Sequence, residues 1–103
     1  MTLGLRWTEH AVDQLAAIAE HISLVSPVYA EQTVDRIARR FQQAQAFPHS
    51  GRRVPEAPAL EVREFIEFPY RLVYRVHNDS IEILAIIHGC QDLDSPPESA
   101  SGF

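Results

Sequence analysis

The sequence predicts an α+β fold in which a hairpin of two helices covers one face of a mainly antiparallel, four-stranded sheet. Residues 62–89 are rich in β-branched and aromatic side chains, which favour strands, and turn residues interrupt them at Phe68-Pro69-Tyr70 and at Asn78-Asp79. Before them lie two segments whose apolar residues recur every three or four positions, as they do along one face of a helix. The predicted element order is therefore β-α-α-β-β-β.

The first strand and the first helix are predicted from the start of the chain. Leu3 to Trp7 is short and partly alternating in polarity, which indicates a strand. Thr8 can cap the following helix, and Glu9 lies in the first turn, where the helix dipole favours negative charge. The apolar stripe of this helix consists of Ala11, Leu15, Ile18, Ile22 and Val25.

The second helix is predicted to begin directly after the first. Ser26 can cap it, and Pro27 suits the first helical position. So short a break predicts an antiparallel helical hairpin. Its apolar stripe consists of Ala30, Val34, Ile37, Phe41 and Ala44. Residues 47–58, with three prolines and Gly51, are predicted to form a loop without regular structure.

The face of the sheet on which each side chain lies follows from the turns, because side chains alternate along a strand. A two-residue loop at Asn78-Asp79 predicts a set of residues that lies towards the helices: Leu72, Tyr74, Val76, Ile81, Ile83, Ala85 and Ile87. It predicts a mixed set on the other face: Arg71, Val73, Arg75, His77, Ser80, Glu82, Leu84, Ile86 and His88.

The turn at Phe68-Pro69-Tyr70 allows two registers. A three-residue loop places Arg63 opposite Arg75, with Phe65 opposite Val73, and sends Glu64 towards the core. A two-residue loop would instead move Arg63 to the core side. We expect the first register, because burying Arg63 costs more than placing Glu64 near a strand end.

This register gathers two candidate sites on the face away from the helices. Arg63, Arg71, Arg75 and His88 form a candidate target-binding cluster, although arginines on a solvated face are also common in proteins without such a site. The apolar residues on the same face predict a surface that a partner protein covers, namely Phe65, Val73, Leu84 and Ile86.

Composition limits the classes of function. The 103 residues fit one domain over residues 1–92, followed by a tail at 93–103 that is predicted to be disordered. The formal net charge of -5 argues against broad binding to nucleic-acid phosphates. One cysteine, no apolar run of membrane-spanning length and no signal-like start predict a cytoplasmic protein. No residue spacing indicates a metal site, and we expect no cofactor.

The order and spacing of several segments resemble the ParE/RelE superfamily of bacterial type II toxins. The segments are Trp7–Ile22, Pro48 with Gly51–Glu56, Val62–Glu64, Tyr70–Val76 and Ile83–Gly89. The resemblance implies a small toxin that is neutralised by an antitoxin encoded beside it, of the ribbon-helix-helix, ParD-like kind. It also implies a hetero-oligomeric complex that reaches operator DNA only through the antitoxin.

Two activities occur in this superfamily. ParE-like members poison DNA gyrase, whereas RelE- and YoeB-like members cleave messenger RNA on the ribosome. An RNase would need a base, a cation for the phosphate and an acid, roles that Glu56, Arg71 and His88 could fill. The residues after His88 lack the tyrosine or arginine that the RNase branch uses there. The resemblance therefore favours the ParE branch and no catalytic residue; a non-toxic module that only represses its own operon is a third possibility.

Overall fold

A computed structural model describes residues 2–56 and 61–89 of the chain. The elements are β1 (Gly4–Trp7), α1 (Glu9–Ser23), α2 (Pro27–Ala46), β2 (Arg52–Arg53), β3 (Val62–Glu67), β4 (Tyr70–Val76) and β5 (Ser80–His88). The strands form one sheet in the order β1-β5-β4-β3-β2, in which only the β1–β5 pair is parallel. The predicted α+β architecture is confirmed, and the tail predicted at 93–103 lies outside the described residues.

Within residues 2–56 and 61–89 the sheet has five strands instead of the predicted four, because the predicted loop contains the short strand β2. Arg52 pairs with Glu64, and Arg53 pairs with Arg63 of β3. This segment was predicted to be a loop because prolines and Gly51 surround it. The two residues between them, Arg52 and Arg53, can nevertheless pair with a neighbouring strand. This strand fastens the loop to the edge of the sheet.

Both helices begin where the sequence predicts. Thr8 accepts a hydrogen bond from the Ala11 N–H at 3.1 Å, and Ser26 caps α2, whose first residue is Pro27. The apolar stripe predicted for α1 extends past the end of the helix. The helix ends at Ser23, and Val25, the last residue of the stripe, is 91% exposed in the turn between the helices.

The main core lies between the helices and one face of the sheet. Ile37 and Phe41 of α2 are fully buried in it, and the Trp7 ring meets the Phe41 ring edge-on at 5.5 Å. The sheet contributes buried Leu72, Tyr74, Ile81 and Ile83, which the predicted alternation placed on this face. The first half of β5 therefore has the predicted register.

The second half of β5 is shifted by a bulge. The pairs Arg75–Glu82 and Tyr74–Ile83 are followed by Val73–Ala85, so Leu84 is an extra residue in β5. Beyond this point every side chain changes face. Ile86 joins the helix-side core, while Leu84, Ala85 and Ile87 pack with the cluster on the opposite, outer face. The predicted positions of Ala85, Ile86, Ile87 and His88 were therefore wrong.

The turn between β3 and β4 has the two-residue loop that the sequence argument disfavoured. Glu67 pairs with Tyr70, Phe65 with Leu72 and Arg63 with Tyr74. Arg63 and Phe65 thus lie on the helix side, and Glu64 lies on the outer face. The expected penalty for Arg63 does not arise, because its guanidinium donates to the Gly51 carbonyl at 2.8 Å and to Glu61 at 3.2 Å.

Candidate functional site

A network of four charged side chains lies on the outer face of the sheet. Arg71 of β4 donates from Nε to a carboxylate oxygen of Glu64 at 2.7 Å, and from both terminal nitrogens to Glu56 at 3.0 and 3.1 Å. Arg52 donates from Nε to the other Glu64 oxygen at 2.6 Å. Two arginines and two glutamates therefore neutralise one another in what we call the Arg71 network.

The centre of the network is buried. Arg71 is 2% exposed and Glu64 is 1% exposed, so both charges are shielded from water. Burial opposes the charged form of Arg71, but its hydrogen bonds to Glu56 and Glu64 outweigh this and raise the pKa of Arg71. Removing one partner of such a buried pair leaves an uncompensated charge, which costs several kcal/mol, roughly 3–5. The network therefore links β2, β3 and β4 with Glu56, and carboxylates occupy the Arg71 guanidinium.

The same network fastens residues 51–56 over the outer face. Val54 is fully buried beside Val62 and Val73. On the helix side, the Tyr74 hydroxyl donates to the Pro48 carbonyl at 2.8 Å and accepts from the Gly51 N–H at 3.0 Å. The loop is thus tied to the sheet by ion pairs on one face and by Tyr74 on the other.

His88 lies apart from this network. Its backbone pairs with Tyr70, and the two rings meet edge-on at 5.5 Å. Tyr70 belongs to the helix-side core, whereas Arg71 pairs with Ile87 and points to the outer face. Glu56, Arg71 and His88 therefore do not converge on one place where a phosphate and a 2′-hydroxyl could be held together.

A family model for the ParE toxin of the type II toxin-antitoxin system parDE matches residues 5–93 of the chain. The chain belongs to the ParE toxin family. Membership in the ParE family confirms the predicted resemblance to the ParE/RelE superfamily and the predicted ParE branch. No curated protein matches the chain significantly.

A solved structure supports the same assignment. The chain resembles a protein from the chromosomal ParDE toxin–antitoxin system of P. aeruginosa, with 28% sequence identity and a TM-score of 0.70. The match covers 85% of this chain and 97% of the other. The match therefore spans almost the full length of the P. aeruginosa chain. Within the described residues of this ParE-family protein, no helix is long and apolar enough to span a membrane.

The candidate target-binding cluster is not assembled in this ParE-family chain. Arg71 is buried in its network, Arg63 lies on the helix side bonded to Glu61 and Gly51, and His88 lies on the helix side beside Tyr70. Arg75 is exposed and pairs with Glu82 across the strands, as predicted. The prediction that the four residues share one face was wrong, because the β3–β4 register moves Arg63 and the bulge moves His88 to the helix side, while Arg71 and Arg75 keep the predicted face.

The predicted antitoxin-binding patch is also dispersed. Phe65 and Ile86 are buried in the helix-side core, and Val73 is buried under Val54 on the outer face. Leu84 is the one member that is partly exposed. The outer face was expected to need a partner, but the chain's own loop covers part of it.

Sequence reasoning missed two features that the structure brings out. Glu64 was treated as a misplaced charge, although its spacing from Arg52 and Arg71 on neighbouring strands would have allowed a shared ion pair. Gln14 was not singled out, yet its side-chain carbonyl accepts a hydrogen bond from the Ile86 N–H at 2.7 Å. A polar residue inside an apolar helical stripe was the available signal for the second feature.

Proposed function

We propose that this ParE-family protein is the toxin of a type II toxin–antitoxin pair, that it inhibits DNA gyrase by binding without catalysis, and that a cognate antitoxin neutralises it. Family membership supports the toxin assignment. The observation that carries the binding mechanism is the Arg71 network. An RNase mechanism needs a free cation for the phosphate, whereas here two carboxylates occupy the Arg71 guanidinium.

The separation of His88 from that network supports the same choice. General acid–base catalysis contributes roughly 10²–10⁴-fold only when the acid and base reach the reacting atoms together. His88 and Arg71 point to opposite faces of the sheet. Ribosome-dependent RNA cleavage by Glu56, Arg71 and His88 would require β5 to shift its register, which would break the pairing with β4.

Inhibition by binding needs only an accessible surface with a few strong contacts. Arg75 keeps its guanidinium at the exposed end of the sheet and is the target-binding candidate that this proposal retains, since arginine is enriched at binding hot spots. The formal charge of -5 fits a protein target better than direct contact with operator DNA. We therefore assign contact with operator DNA to the antitoxin. Because the proposed target is gyrase, we assign the site of action to the cytoplasm.

Expression without antitoxin tests the proposal in cells. Growth arrest should be accompanied by gyrase-dependent DNA breaks, while messenger RNA remains intact. Cleaved transcripts that disappear on His88→Gln would refute the binding mechanism and favour the RNase. Normal growth, with the folded protein present, would instead identify a chain that serves only in operon regulation.

A further inference from the structure

A row of three charged side chains crosses the outer face at one end of the sheet. Arg6 of β1 and Arg75 of β4 both pair with Glu82 of β5, which lies between them. The Glu82 carboxylate is hydrogen-bonded to the His77 ring at 2.8 Å. Both arginines are exposed, and neither comes within ion-pairing distance of a carboxylate in residues 2–56 and 61–89. The row therefore carries two guanidinium charges for one carboxylate.

This pairing state sets the two arginines apart from most other cations of the chain. All nine Lys and Arg residues are arginines, and six of them form ion pairs with carboxylates: Arg36, Arg40, Arg52, Arg53, Arg63 and Arg71. Of the other three, Arg39 lies on α2, whereas Arg6 and Arg75 share the outer face, with their backbones roughly 10 Å apart. In a chain with a formal net charge of -5, this row attracts a negatively charged group of a partner.

Apolar side chains adjoin the charged row on the same face. Leu84, Ala85 and Ile87 of β5 pack with the cluster around buried Val73, but all three stay partly exposed. Ile87 is five residues beyond Glu82, so the apolar segment extends roughly 15 Å from the row. The charged and the apolar residues together form what we call the outer strip: Arg6, Arg75, Leu84, Ala85 and Ile87.

The composition of the outer strip is complementary to one kind of partner. A partly exposed apolar segment bordered by charges is typical of a surface that contacts another protein. A guanidinium without an ion pair can bind a carboxylate of that protein through two parallel hydrogen bonds. A nucleic acid would supply phosphates for the arginines but no apolar side chains for β5. The complementary partner is therefore a protein segment that carries carboxylates next to apolar side chains.

We propose that the outer strip is the surface through which the toxin binds its protein target, and that it takes an acidic segment of that target. Carboxylates of the segment bind Arg6 and Arg75, and its apolar side chains pack on Leu84, Ala85 and Ile87. The inference rests on the proposed function, which supplies gyrase as the target and retains Arg75 as a contact. It adds Arg6, which has the same exposure and the same neighbour, and it makes the contact continuous along β5.

The three arginines without ion pairs give a matched test of the charged part. Arg6→Gln, Arg75→Gln and Arg39→Gln each remove one exposed positive charge, but only the first two lie in the outer strip. The concentration of purified toxin that halves gyrase supercoiling should rise at least about tenfold for Arg6→Gln and for Arg75→Gln, and less than about twofold for Arg39→Gln. Added salt should weaken inhibition by the wild-type protein more than by either strip variant, because salt screens exposed charges. Thermal unfolding checks that all three variants fold.

A second matched pair tests the apolar part without changing any charge. Ile87 lies in the outer strip, whereas Val28 is 66% exposed near the start of α2 and lies outside it. Ile87→Gln should raise the half-inhibitory concentration at least about fivefold, because an amide replaces an apolar contact, and Val28→Gln should raise it less than about twofold.

The outcomes separate this inference from the proposed function. Inhibition by wild-type toxin that Arg6→Gln or Arg75→Gln leaves as strong as Arg39→Gln does would overturn the outer strip and leave the proposed function standing. Strip variants that inhibit gyrase normally but lose binding to the purified antitoxin in calorimetry would assign the strip to the antitoxin and refute the proposal. No inhibition of gyrase by the folded wild-type chain would overturn the proposed function and this inference together.

Discussion

Arg71→Met is the substitution that most sharply separates a structural arginine from a functional one. It removes the hydrogen bonds and ion pairs that the Arg71 guanidinium makes with Glu64 and Glu56 on the outer face, and leaves both carboxylates without their shared partner. The Glu64 side chain is fully buried, so its charge cannot be hydrated in place. Breaking a buried pair in this way costs roughly 3–5 kcal/mol.

Arg52 moderates the loss, because it remains bonded to Glu64 at 2.6 Å. We therefore expect the lower end of the range, about 3 kcal/mol in the free energy of unfolding, which for a domain of about 100 residues lowers the melting temperature by about 12–24 °C. Arg75→Met is the control on the same strand. Arg75 is exposed, so losing the electrostatic attraction between its side chain and Glu82 should cost less than about 1 kcal/mol.

Urea unfolding followed by circular dichroism measures both variants under two-state conditions. A double-mutant cycle of Arg71→Met and Glu64→Gln measures the coupling between the two side chains, which we expect to be about 0.5–3 kcal/mol because they share a buried ion-pair network. An Arg71→Met protein whose stability stays within about 1 kcal/mol of the wild type would refute the structural role. Loss of toxicity without loss of stability would then indicate that Arg71 contacts the target directly.

The remaining predictions concern the loop and the dependence of stability on pH. Gly51→Ala should destabilise the protein measurably in thermal unfolding, because its Cβ would lie 2.5 Å from the Tyr74 hydroxyl, whereas Gly4→Ala, with 3.5 Å to its nearest neighbour, should be nearly neutral. Tyr74→Phe should cost about 1–3 kcal/mol in urea unfolding, because it leaves the Gly51 N–H and the Pro48 carbonyl without this partner. The hydrogen bond from His77 lowers the pKa of Glu82 below its usual 4.5, so this stabilisation is complete above pH 4.5 and is lost as the pH falls through the lowered pKa. Glu82→Gln should therefore flatten the fall in unfolding free energy below pH 4.5, and an unchanged acid profile would refute this assignment.

Local signals in the sequence were sufficient for the helices and for most of the strands. Thr8, Ser26 and Pro27 act through neighbouring backbone groups, so their roles can be deduced from adjacent residues. The hairpin at Asn78-Asp79 likewise fixes its own register as far as Tyr74 and Ile83. These predictions depend on contacts within a few residues along the chain.

The candidate site could not be predicted because it depends on two structural features that are set by contacts between residues far apart in the chain. The bulge at Leu84 occurs where pairing with β1 ends, and it reverses the faces of all later residues in β5. The β3–β4 register depends on whether Glu64 finds partners, and those come from Arg52 and Arg71 on two other strands. Alternation rules carry such an error to every following residue, which is why His88 and Arg63 were both assigned to the wrong face.

Purified toxin added to gyrase and relaxed plasmid tests the central proposal most directly. The account predicts that the wild-type chain blocks supercoiling without ribosomes, and that the neighbouring antitoxin restores it. In a parallel reaction with translating ribosomes, the same preparation should leave messenger RNA intact. Unimpaired supercoiling together with ribosome-dependent RNA cleavage would contradict the account.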